Sequence, residues 1–156
     1  SLEDRELLDI IKANNLSVSL MHMKGTPKNM QDNPNYENII IEIYDYLKNK
    51  ARLCIDHGIK KNKIIIDPGF GFGKTLDHNY VILNNLKKFS ELGYDVLSGI
   101  SRKSMIGNVI DKPPENRLYG SLAATILAIK NSSNILRVHD VRETKILLKF
   151  IDLIED

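Results

Sequence analysis

KIIIDPGFGFGKT, residues 63–75, decides how the rest of the chain is read. Ile64, Ile65 and Ile66 run into an acid, Asp67, and the chain then turns on Gly69, Gly71 and Gly73. A continuous run of β-branched residues reads as a strand buried on both faces, as parallel sheets require. A carboxylate at the C-terminal end of such a strand, ahead of a glycine-rich turn, is where α/β proteins place ligand-binding groups. Turn chemistry explains the same residues, with Asp67 bonding its own backbone and Pro68 presetting φ. The two readings part on whether other strands end the same way.

Upstream, residues 2–14 place Leu2, Leu7, Leu8, Ile10 and Ile11 near one face of an amphipathic helix with early acids. Residues 17–22 alternate small and apolar side chains, as a strand does. A long loop over 21–35 carries Gly25, Pro27 and Pro34. Residues 37–57 hold Ile39, Ile43, Leu47, Ala51, Cys54 and Ile55 near helical spacing, with Gly58 as the stop. Downstream, a helix is predicted over 77–91 with Val81, Leu83, Leu86 and Phe89 inward, then a strand over 95–100 and the polar SRKS of 101–104. Past a loop with Pro113-Pro114 come a helix over 117–130, a strand over 134–138 and an apolar helix over 141–155 containing Val141, Ile146, Leu147, Leu148, Ile151 and Ile154.

The order is one helix followed by four βα units, a single domain over 1–156. Strict alternation implies parallel strands joined by right-handed crossovers. An open doubly wound sheet and part of a (β/α)₈ barrel both satisfy it. A full barrel needs ~250 residues, so a chain of 156 residues supplies only its second half, about four strands.

Composition is that of a globular protein, 42% hydrophobic and 27% charged. The formal net charge of +2, with both signs interspersed, leaves no electrostatic footprint for nucleic acid or membrane. One cysteine excludes a disulfide framework and a cysteine-based zinc site. His22, His57, His78 and His139 show no metal-ligand spacing. No apolar run approaches the ~20 residues of a membrane span, and no signal-peptide pattern opens the chain. The expectation is a cytoplasmic protein. The absence of an initiator Met hints at sequence upstream.

Each strand end carries chemistry: Met21-His22-Met23, Asp67-Pro68-Gly69, Ser101-Arg102-Lys103-Ser104 and Arg137-Val138-His139. Parallel strands put all four on one face, so an acid, a lysine, an arginine and a histidine are expected at one mouth. Taken singly, Lys103 reads equally as a solvated loop lysine, and His139-Asp140 as a capping pair. Arg137 and His139, two apart on an extended segment, project to one side. An arginine fork beside an imidazole suits a phosphate or pyrophosphate. Asp67 suits paired N–H donors on a heterocycle edge. GxxxxGK[ST] fails because Pro68 stands where its first glycine is needed, and glycines at 69, 71 and 73 make GxGxG rather than GxGxxG. No serine elbow or reactive cysteine is present.

MHMKGTPKNMQ (21–31), DPGFGFGKT (67–75), GISRKSMIG (99–107) and RVHDV (137–141), in this order, resemble the dihydropteroate synthase family of pterin-binding barrels. The resemblance implies a (β/α)₈ fold and the joining of p-aminobenzoate to a hydroxymethyl-dihydropterin pyrophosphate, with loss of pyrophosphate. It implies that Asp67 holds the pterin 2-amino and N3 edge, that Lys103 bonds the ring, and that Arg137 packs on its face. Met21 and Gly99 would line the pterin slot, and Arg137 with His139 would hold the pyrophosphate. Phe72, Lys103 and Ser104 would form the p-aminobenzoate and sulfonamide site, Ser104 at a helix N-terminus. Magnesium is implied, with its asparagine ligand in an N-terminal half that this sequence lacks, so no metal ligand is expected in this chain. A homodimer through the 117–130 and 141–155 helices is also implied. The expectation is a fragment, or a half that needs a partner, with little turnover alone. A pterin-binding methyltransferase barrel and a non-catalytic half-barrel assembly module are the alternatives.

Overall fold

The computed structural model describes residues 5–155; Leu2, assigned to the first helix, lies outside them. The chain runs α1 (Arg5–Ala13), β1 (Val18–Met21), α2 (Ile39–Asp56), β2 (Ile64–Asp67), α3 (Leu76–Asn84) and α4 (Leu86–Ser90). It continues β3 (Asp95–Ser98), α5 (Ser104–Ile110), α6 (Leu118–Lys130), β4 (Ile135–Leu136) and α7 (Val141–Glu155).

All three strand pairings are parallel, and the spatial order is β1-β2-β3-β4. That order separates the two closures left open by the pattern. A doubly wound sheet reverses its strand order at a switch point, whereas here each unit is laid beside the last, as around a (β/α)₈ barrel. The register aligns Met21 with Asp67, and Ser98 with Leu136. The strand ends therefore stand level, and the segments leaving them share one rim.

The core lies between the sheet and its helices. Leu20, Ile64, Ile66 and Val96 pack there with Ile43, Leu47, Ala51 and Cys54 of α2, Ile82 of α3, and Leu86 and Phe89 of α4. The alternate strand positions are less covered: Ser19 is exposed, and Ile65 and Leu97 are half-buried. The isoleucine run is thus not buried evenly on both faces, because helices cover only one of them.

Other expectations are corrected by packing. Leu7, Ile10, Ile55 and Val81 face outward. The predicted 77–91 helix is two, because Asn85 leaves helical geometry (φ −119°, ψ 19°) and its side-chain amide donates back to the Val81 carbonyl. The sequence reading assigned no helical span to 104–110, where α5 forms. Gly107 lowers helix propensity there, and the Arg117 guanidinium occupies the space where a Cβ would lie, at 2.2 Å, so a side chain at 107 would displace Arg117. β4 is only two residues long, leaving Arg137 and His139 beyond it.

Candidate active site

Two of the glycines after β2 are set by close approach. A Cβ on Gly69 would lie 1.9 Å from the His22 carbonyl oxygen, and one on Gly73 would lie 2.3 Å from that of Lys24. Both have φ in the left-handed region (73° and 65°). The turn therefore rests directly on the backbone leaving β1. Further ties hold it: Tyr36 Oη donates to the Gly73 carbonyl (2.7 Å), and the Gly71 N–H donates to Asn79 Oδ1 (2.7 Å).

Asp67 is 4% exposed at the end of β2. Its Oδ1 accepts from the Gly69 N–H (2.7 Å), and Oδ2 has no hydrogen bond among the described residues. Burial lifts the Asp67 carboxyl above its ordinary range, opposed first by the Gly69 N–H and then by Lys103, Arg137 and Lys74. One buried carboxylate thus faces cations from three segments, with one oxygen left for a donor.

Lys103 approaches from the segment after β3, near enough for the two charges to act on one another without a direct ion pair. Its ammonium donates to the Phe70 carbonyl and lies 4.7 Å from the centre of the Phe72 ring. Burial brings the Lys103 pKa down to about 8; Asp67 raises it and Arg137 lowers it further. Arg102 sets the direction of approach. It takes a left-handed backbone (φ 59°), rare for a residue with a side chain. Its N–H donates to Ser121 Oγ (2.9 Å) and its carbonyl accepts from Arg117 (2.8 Å).

Arg137 lies over Gly99: Nε and Nη2 would each be 3.2 Å from a Cβ placed there. Met21 borders the same cluster, its Cγ 3.3 Å from a Cβ placed on Gly69. His139 is joined to this group through Ser101, whose Oγ accepts from the His139 N–H (3.3 Å) and lies 3.1 Å from Nδ1. Asp140 does not cap α7 with its carboxylate, which instead takes both Nε and Nη2 of Arg102 (3.1 and 2.5 Å). The structure thus brings together Asp67, Lys103, Arg137, Phe72, Gly99 and Met21. His139 stands beside them on the exposed rim, and Ser104, the first residue of α5, is exposed with no side-chain hydrogen bond among the described residues.

The sequence reading missed Lys74, His22 and Asn79 as site components. Lys74 is 3% exposed, and nothing in GFGKT signals that its lysine turns inward. Asn79 sits among helical residues, where its bond to the turn has no local signature.

The Pterin binding enzyme family matches residues 1–139. Dihydropteroate synthase of Haemophilus influenzae is 49% identical over 134 residues, covering 86% of this chain and 49% of the relative. That of Escherichia coli is 41% identical over 152 residues, covering 97% and 54%. The chain thus spans about half the length of these curated relatives. Dihydropteroate synthase from Thermus thermophilus, solved with 4-aminobenzoate, superimposes with a TM-score of 0.93 at 32% identity, over 99% of this chain and 63% of that one. The Yersinia pestis enzyme, solved with a sulfonamide drug, gives 0.91 at 40% identity over 95% and 54%. The level strand ends, the glycine turn and the match along residues 1–139 lead to one assignment: this chain belongs to the family of pterin binding enzymes.

Proposed function

We propose that this chain carries the pterin and pyrophosphate groups of a dihydropteroate synthase site. The observation that carries the reading is a buried Asp67 with one unpaired oxygen among the described residues, acted on by the charges of Lys103 and Arg137 from the next two βα units, with Arg137 lying over Gly99 and Lys103 beside Gly71. Asp67 Oδ2 accepts the amino and ring N–H groups of the pterin edge. Arg137, lying over Gly99, covers the ring face, and Lys103 donates to ring atoms. Met21 and Gly99 bound the slot. Arg137 and His139 receive the pyrophosphate, and Phe72, Lys103 and Ser104 flank p-aminobenzoate.

The chemistry follows from charge. The methylene carbon–oxygen bond breaks and its electron pair leaves with pyrophosphate, which the cations stabilise. The developing cation on the pterin methylene is opposed by ionised Asp67. The amine lone pair of p-aminobenzoate then forms the carbon–nitrogen bond, and the nitrogen gives its proton to solvent. No nucleophile is required; positioning and electrostatics supply the rate.

Magnesium, which the resemblance implies, has no group of three or more His, Cys, Asp or Glu ligands among the described residues, and every step above uses this chain's own side chains. A homodimer, cytoplasmic location and sulfonamide binding belong to the same proposal. In its support, α7 exposes Ile146, Phe150 and Leu153, no described helix is long and apolar enough to cross a membrane, and a related enzyme is solved with a sulfonamide. The 156-residue chain alone is expected to turn over little.

The test uses the protein expressed from its full reading frame. Asp67→Asn, Lys103→Ala and Arg137→Ala are each expected to lower kcat/KM for dihydropteroate formation by about 10²–10³-fold, with the melting temperature nearly unchanged. Full activity in all three variants would refute the site. A melting temperature raised by methyltetrahydrofolate and not by pyrophosphate would favour the methyltransferase reading.

A further inference from the structure

We propose that Lys74 is a positioning residue of this site: its Nζ ties the glycine turn to the segment leaving β1 and so fixes Phe72. The inference rests on the functional reading above and extends it to a side chain with no assigned role. Lysine is rarely buried without a partner, yet Lys74 is 3% exposed and, among the described residues, no carboxylate lies within ion-pair distance of its Nζ. Its acceptors are the Phe72 carbonyl (2.9 Å), His22 Nδ1 (3.0 Å) and, more loosely, the His22 carbonyl (3.4 Å). Burial brings the Lys74 pKa down to about 7, against the pull of Asp67; in the protonated form its three N–H bonds are matched by three acceptors on two segments.

These are the two segments that Gly69 and Gly73 bring into backbone contact. The glycines permit the approach, and Lys74 fastens it. His22 is suited to its part. It is 6% exposed, edge-on to Tyr46 at 5.0 Å, and burial keeps it neutral, so Nδ1 accepts from the protonated lysine in the tautomer that carries its proton on Nε2. Phe72 is the residue whose carbonyl the lysine holds and whose ring faces the Lys103 ammonium. Removing the tie frees the turn at the point that presents this ring. The effect is therefore directed at p-aminobenzoate, the substrate assigned to Phe72, more than at the pterin.

Lys74→Met keeps the chain length and removes the donors; Lys74→Gln restores N–H donors without charge. In the protein from its full reading frame, Lys74→Met is expected to raise KM for p-aminobenzoate about tenfold, with a smaller change in KM for the pterin pyrophosphate. Lys74→Gln is expected to recover part of that loss. Both variants should keep the far-UV circular dichroism of the parent. Unchanged KM values in a folded variant, an equal rise for both substrates, or failure of both variants to fold would each overturn the proposal. A parent protein that makes no dihydropteroate would overturn the functional reading itself, a distinct result from an active parent whose variants bind normally.

Discussion

At His22, burial acts first and the charges of Lys74 and Lys24 reinforce it, bringing the imidazole pKa down from 6.5 to about 3, against a smaller opposing pull from Glu42. The unfolded chain therefore binds a proton between pH 6.5 and about 3 that the folded chain refuses. Its contribution to stability is complete above pH 6.5 and is lost as pH falls toward 3. The upper part of that window is cleanest, because the depressed carboxyls of Glu42 and Asp140 act at lower pH. Melting temperatures between about pH 6.5 and 5 should fall in the parent protein and fall less in His22→Gln. An equal slope in both would show that His22 does not carry the effect. Asp67 has the opposite sign: its raised pKa makes the folded state the better proton binder just above the ordinary carboxylate range, which softens acid unfolding.

Between elements, the segments after β3 and β4 are tied by two residue pairs, Arg102 with Asp140 and Ser101 with His139. The first is a two-point fork, the geometry in which arginine discriminates best for a carboxylate. It adds to the backbone bonds from Ser121 and Arg117 at Arg102, the left-handed residue directly before Lys103. Asp140→Asn keeps the shape but weakens the fork. On the proposed function it should raise KM for the pterin pyrophosphate about tenfold or more, since misplacement of about 1 Å is costly in a preorganised site. Arg102→Lys, which loses the planar fork, should behave alike. Wild-type kinetics in both variants would show that the two segments keep their geometry without the pair.

For the whole molecule, the sequential sheet leaves one face of the strands thinly covered and gives α7 little to pack against. Among its described residues Thr144 is the buried one, while Ile146, Phe150, Leu153 and Ile154 are 61–78% exposed. An apolar stripe of this kind is what an interaction surface presents, and under the proposed homodimer a second copy would cover it. Light scattering on the full-frame protein should give twice the protomer mass. Phe150→Glu with Leu153→Glu should give one protomer mass while the circular dichroism is kept. A monomer in the parent protein would remove the dimer from the proposal.

Much of this was legible from sequence because it is local. The βα alternation, the acid closing the isoleucine run at Asp67, and the glycine stop at Gly58 are written in neighbouring residues, and so are the four strand-end motifs. Strand order, by contrast, is a matter of which units pack side by side, and neither closure changes the alternation that the sequence displays. The same holds for the inward turn of Lys74, for glycine at 107 where Arg117 lies, and for the ties of Asp140 to Arg102 and Asn79 to Gly71. Each joins groups whose partner is set by folding rather than by spacing. The amino-acid sequence by itself determined which chemical groups stand at the strand ends; only the tertiary structure decided which of them meet, because a parallel sheet brings distant segments to one rim through crossovers that carry no local trace of their destination.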